Sequence, residues 1–189
     1  MNPAYAFILK LSTKGGRALF FDKQIGTFEA FLDFKAQVFN GLLVKYQLNN
    51  GFVKVVEKIP SNFYFGFQDL QFYHFILEVI YNFIPIGMDS DQVFNLMQFI
   101  YISFDTIESN KQRKFIIFNL FTLLGAGANE TKYPNLLTFS KFPIDRMVHC
   151  TIDLEIEEEL NAFIRETLDS YKITFSFKTG SFLKEVGIL

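Results

Sequence analysis

The 189-residue sequence predicts an α+β protein in two parts, a small β-barrel over residues 1–60 followed by an α-helical domain over residues 61–189. Three observations carry this. Short apolar runs broken by glycine turns fill the chain up to Pro60, and apolar residues at helical spacing fill it afterwards. The charge changes sign at the same place: eight Lys and Arg stand against four Asp and Glu up to Pro60, a balance of +4, and ten stand against sixteen beyond it, a balance of −6. Half of the residues are hydrophobic, enough to bury a sizeable core.

The first strand is the nearly unbroken apolar run Ala4 to Leu11, and Lys14-Gly15-Gly16-Arg17 turns it into a second, Ala18-Leu19-Phe20-Phe21. Gln24-Ile25-Gly26 is the next turn, leading into an imperfect alternation from Thr27 to Phe34. Leu42 to Leu48 then meets Phe52 to Val56 across Asn49-Asn50-Gly51, where Asn and Gly accept the positive φ of a tight hairpin. Five short strands in sixty residues fit a Greek-key barrel of the OB type.

Beyond Pro60, Phe72, Phe75, Ile76, Val79, Ile80 and Phe83 recur at helical spacing, and Pro85 and Gly87 end that helix. Ser90 caps a second, with Val93, Phe94, Met97, Ile100, Tyr101 and Phe104 on its apolar face. A third runs from about Asn110 to Leu124 and closes at Gly125; Gly125 to Asn129 reads as a loop. Asp153 caps a last helix bearing Leu160, Phe163, Ile164 and Leu168, whose glutamates at 155, 157, 158 and 159 complement the positive end of its dipole.

Several chemistries are disfavoured. The longest uncharged stretches, Phe115 to Asn129 at fifteen residues and Gln92 to Phe104 at thirteen, fall short of a membrane span, so a soluble protein without membrane partners is expected. The N-terminal residues lack the pattern of a secretory leader, and a single cysteine, Cys150, cannot form an internal disulfide; both fit a cytoplasmic location. His74, His149 and Cys150 lack metal-ligand spacing, and neither Gly15-Gly16 nor Gly125-Ala126-Gly127 continues into the GK[ST] of a phosphate loop. No cofactor, metal or catalytic set is expected, and the protein reads as a non-enzyme. Twenty-six Phe beside no Trp read mainly as core filling.

The basic set Lys10, Lys14, Arg17, Lys23, Lys35 and Lys45 is the candidate DNA-binding surface. OB-folds hold single strands in a charged groove with aromatic platforms, for which Phe20, Phe28, Phe34 and Tyr46 are available. The competing reading is that these charges only keep a Phe-rich surface hydrated. Lys111, Arg113 and Lys114 open a helix against its dipole and so need a separate reason.

The order of elements resembles the recombination mediator family RecO. Phe7-Ile8-Leu9-Lys10 resembles its opening strand, Gly41 to Lys58 its strand pair before the domain junction, and Asp69 to Pro85 its first long helix. Phe118-Asn119-Leu120-Phe121-Thr122-Leu123-Leu124-Gly125 is similar to the helix ending in the pattern LLxxLG, and Phe177 to Glu185 to the closing LKS..FL.EL segment. Two departures stand out: Gly125 to Asn135 holds none of the four cysteines of the zinc module many members carry, and the basic loop between the middle strands is shortened to Asp33-Phe34-Lys35-Ala36-Gln37.

The resemblance implies a zinc-less, non-enzymatic mediator of DNA recombination and of the repair of DNA damage. Such a protein binds and anneals single strands, contacts double-stranded DNA in some cases, and works with RecR to help RecA replace single-stranded-DNA-binding protein. It further implies that Lys111, Arg113, Lys114, Phe115 and Phe118 receive the acidic, Phe-terminated tail of single-stranded-DNA-binding protein; otherwise these charges pair with Asp105 and Glu108 just upstream. The alternative from another class is an interaction adaptor whose OB-like module contacts protein and has no role on DNA.

Overall fold

The computed structural model describes residues 4–12, 16–33, 37–61, 67–87, 90–103, 107, 109–129, 131–141, 143, 146, 150, 153–171, 179, 184 and 187. By its contacts the chain forms two compact units, one of residues 1–62 with 76–102 and the other of residues 63–75 with 103–189. Where the charge and period change near Pro60, the contacts group the helical segment Ile76–Ile102 with the strands.

Five strands build the first unit: β1 (Ala4–Leu11), β2 (Arg17–Asp22), β3 (Gly26–Leu32), β4 (Leu43–Asn49) and β5 (Phe52–Lys58). They close into a barrel in the order β1-β2-β3-β5-β4, with β4 returning to β1. Every pairing is antiparallel except β3 with β5, which run parallel with Phe31 opposite Phe52 and Leu32 opposite Val53. The β4–β5 hairpin turns on Asn50 and Gly51, at φ 48° and 79°, the two positive values a two-residue turn of matching twist requires.

Alternation points Ala6, Ile8, Ala18, Phe20, Val44 and Tyr46 into the barrel. A barrel this narrow has little interior, and the alanines of β1, β2 and β3 leave room for the rings of Phe20, Phe28 and Tyr46, which lie 5.2–6.3 Å apart. The Tyr46 hydroxyl donates to Asp22 Oδ2 at 2.9 Å, while Asp22 Oδ1 accepts from the N–H groups of Gln24 and Ile25 at 2.7 and 3.0 Å. One buried carboxylate thus ties the β2–β3 turn to β4.

The opposite faces of β1 and β2 are also apolar because a helix covers them. Helix α1 (Phe67–Phe83) contributes its second half to this unit, and α2 (Asp91–Ser103) follows. Phe94 of α2 lies 5.3 Å from Phe7 and 5.7 Å from Phe21, and the Tyr101 hydroxyl donates to the Ile59 carbonyl at 2.8 Å. The α1–α2 connection fastens to β3: Thr27 Oγ1 donates to the Pro85 carbonyl at 2.7 Å, and the Gly87 N–H donates to the Thr27 carbonyl at 2.7 Å.

In the second unit, α3 (Asn110–Leu123) begins at a capping box: Gln112 N–H donates to Ser109 Oγ, and Gln112 Oε1 accepts from the Ser109 N–H. Phe118 of α3 packs edge-on against Phe163 of α5 (Leu154–Ser170), and Asp153 caps α5 by accepting from the Ile156 N–H. The short α4 (Pro134–Ser140) is held by Glu159, which accepts from Asn135 Nδ2 at 2.8 Å and from the Leu136 N–H at 3.3 Å. Among the described residues, no helix is long and apolar enough to cross a membrane.

Candidate nucleic-acid interface

The outer face of the barrel where β2, β3 and β5 adjoin carries a row of three side chains. Arg17 opens β2 and sits opposite Phe31 of β3, its guanidinium 4.9 Å from the Phe31 ring centroid. Phe31 in turn sits opposite Phe52 of β5, with the rings stacked at 5.1 Å and 25°. Alternation turns Val53 into the core and leaves Phe52 59% exposed, which puts an aromatic plane in water on purpose or at a cost. Lys54, two residues on and on the same face, is exposed; so is Glu29, two residues before Phe31.

Backbone bonds fix this row to the loops on either side. The Leu32 N–H donates to the Gly16 carbonyl at 2.8 Å, and the Phe31 N–H donates to the Gly51 carbonyl at 2.8 Å. The end of β3 therefore joins the β1–β2 connection to the tip of the β4–β5 hairpin.

Of the basic residues singled out by the sequence, Arg17 belongs to this row. Lys10 is exposed on β1, and its Nζ donates to the Tyr81 hydroxyl at 3.2 Å, 4.4 Å from that ring's centroid. Lys23 lies in the β2–β3 turn, at the other end of β2 from Arg17, about 20 Å away at the rise of a strand. Lys45 on β4 pairs with Glu57 of β5 at 3.7 Å. Lys14 and Lys35 lie outside the described residues. The four described members of the set are thus spread around the barrel.

Three of the four expected stacking platforms are corrected by the burial pattern. Phe20, Phe28 and Tyr46 face the barrel interior and stack on one another; Phe34 lies outside the described residues. Phe31, half-buried, and Phe52, exposed, are rings on the outer face that the charge-based expectation did not include; Tyr5, Phe39 and Tyr81 are also exposed in this unit. A signal for Phe52 exists in the sequence: it directly follows the Asn50-Gly51 turn, and alternation with the inward Val53 points it out.

The set expected to receive a partner's tail is differently placed. Phe115 and Phe118 are 1% and 0% exposed and form the core of the second unit, against Phe139 and Phe163. Lys114 is 4% exposed and its Nζ meets Glu157 Oε1 at 3.0 Å; Lys111 reaches Glu157 Oε2 at 3.3 Å. Arg113 is also buried, with Nη1 donating to Asn110 Oδ1 at 3.2 Å. Of the three basic residues, Lys111 is the exposed one. Glu157, from the acidic run at the start of α5, answers the charge against the dipole, while Asp105 and Glu108 lie outside the described residues. The Lys114 hydrogen bond first, and then that of Lys111, hold the Glu157 carboxyl below its ordinary range against the opposing effect of burial.

Among the described residues, no group of three or more His, Cys, Asp or Glu is placed to hold a metal ion. No protein-family model matches the chain, and a search of curated proteins finds no match to it.

Proposed function

We propose that the barrel-bearing unit is a module of the OB type that binds single-stranded nucleic acid across β2, β3 and β5. The observation that carries the reading is the stacked pair Phe31 and Phe52, flanked by Arg17 and lying between two loops. The strand order with its single parallel pairing supports the OB assignment. In that fold, oligonucleotides lie on the face of strands 2 and 3, between the loop that follows strand 1 and the loop that precedes strand 5. Phe52 offers a base a π-face, Arg17 and Lys54 offer charge to the flanking phosphates, and the contact needs no particular base.

The placing of this module in recombinational repair, as a RecO-like mediator working with RecA, RecR and single-stranded-DNA-binding protein, rests on the collinear sequence motifs. The barrel supplies the strand-holding part of that activity.

Anisotropy titrations of labelled single-stranded oligodeoxynucleotides test the reading. Affinity should fall as salt rises, and Phe52→Ala should weaken it about tenfold, the order of one base–aromatic stack. Binding that is absent at low salt, or unchanged in Phe52→Ala, would overturn it.

A further inference from the structure

The outer row continues past Phe52. Arg17 on β2 is opposite Phe31 on β3, Phe31 is opposite Phe52 on β5, and Phe52 is opposite Asn49 on β4, so each of four strands contributes one side chain. Directly opposed residues point to the same face of a sheet, with Cβ atoms about 5 Å apart. Phe31 is engaged on both sides, by the Arg17 guanidinium 4.9 Å from its centroid and by the Phe52 ring at 5.1 Å. The open side of the stack is therefore that of Phe52 towards β4, where Asn49 stands.

Asn49 is exposed, and among the described residues no hydrogen bond or ion pair engages its carboxamide. Its side chain is shorter than that of Phe52, so a flat ring laid on the open side of Phe52 stands above Asn49 and turns an edge towards the amide. A carboxamide holds a donor and an acceptor side by side. In the next rung of the hairpin, exposed Lys54 faces half-buried Gln47. Lys54 is about 7 Å from Phe52 along β5, within the span of one nucleotide.

We propose that Asn49 reads the edge of the base stacked on Phe52, and that the site favours adenine over thymine. This rests on the single-strand reading of that face. Asn pairs bidentately with adenine, Nδ2 donating to adenine N7 and Oδ1 accepting from adenine N6, whereas thymine offers only the O4 acceptor and a methyl group on the corresponding edge. The stack on Phe52 accepts any base, and the amide beside it adds the choice. Lys54 takes the phosphate of the same nucleotide, a contact that carries no sequence information.

The test is anisotropy titration of the full chain with labelled single-stranded homopolymers of deoxyadenosine, thymidine and 7-deazadeoxyadenosine, of equal length. The last keeps the stacking ring and the N6 amine but lacks the N7 acceptor. Adenine should bind about tenfold more tightly than thymine, and 7-deazaadenine should lose most of that margin. Asn49→Ala should abolish the difference between adenine and 7-deazaadenine while leaving thymine affinity unchanged. Adenine bound no better than thymine or than 7-deazaadenine by the parent protein, or the margin over 7-deazaadenine kept in Asn49→Ala, would overturn the role of Asn49 and leave strand binding standing. Failure to bind any of the three strands would overturn both. Should Asn49→Ala fail to fold, the 7-deazaadenine strand decides alone, because it alters the ligand and leaves the protein intact.

Discussion

The Phe31 N–H donates to the Gly51 carbonyl at 2.8 Å, so the tip of the β4–β5 hairpin is fastened to the end of β3. The bond explains why Phe31 and Phe52 meet in a defined stack: the parallel pairing that sets them side by side is short, and the hairpin tip is held from both strands. A platform carried on bonded strand ends keeps its geometry without a ligand, which lowers the ordering cost of binding.

Arg17 and Lys45 should therefore differ in their effect on binding. Arg17→Ala removes the cation beside the stack and should lower the slope of log affinity against log salt by about 0.7, the value for one single-strand phosphate contact. Lys45→Ala removes a charge that already faces Glu57 and should leave the slope nearly unchanged. Titrations across a salt series check this, and equal slope changes for the two variants would refute the placement of the site.

Glu157 should govern the acid stability of the second unit. Its folded pKa is depressed below the ordinary 4.5, so its stabilising contribution is fully present above that value and is lost as pH falls through the folded pKa. Glu157→Gln should cost about 3 kcal/mol at neutral pH by stranding the buried Lys114, and should abolish that part of the acid dependence. Lys114→Met should change stability by less than about 1 kcal/mol, because the charge is removed rather than stranded and Lys111 still faces Glu157. Urea unfolding between acid and neutral pH reads all three; a Glu157→Gln protein as stable as the parent would contradict the ion pair's role.

Tyr46→Phe should destabilise the barrel by about 2 kcal/mol, since Asp22 is 2% exposed and its Oδ2 loses the hydroxyl. Burial and the neighbouring Asp22 raise the pKa of that hydroxyl, so it remains a donor throughout the neutral range. The destabilisation should consequently be the same at pH 6 and pH 8. Chemical unfolding at both values measures it; a loss that grew or vanished between them would contradict the assignment.

Local pattern made much of this architecture legible. Asn50-Gly51 marks the β4–β5 hairpin, helical periodicity marks α1, α2 and α5, Gly125 marks the end of α3, and Asp153 marks the start of α5. Helix α4 has seven residues, too few for a period to emerge, and only Pro134 at its first turn announces it. The start of α3 is legible as well, in Ser109 and Gln112 three residues apart, with Lys111, Arg113 and Lys114 around it. Arg113 and Lys114 of that set are buried, and the local sequence carries no mark of the carboxylate on another helix that meets Lys114.

By itself, then, the sequence determined the two kinds of structure, the turns between strands, most helix limits and the opposite charge of its two parts, all of which depend on residues close together along the chain. Only the tertiary structure decided which rings face water and which cations are already answered. Phe31 meets Phe52 because β3 and β5 pair in parallel, and Lys114 meets Glu157 because α3 packs on α5. Both contacts join residues far apart in sequence, and no periodicity within either segment encodes the register or partner of the other.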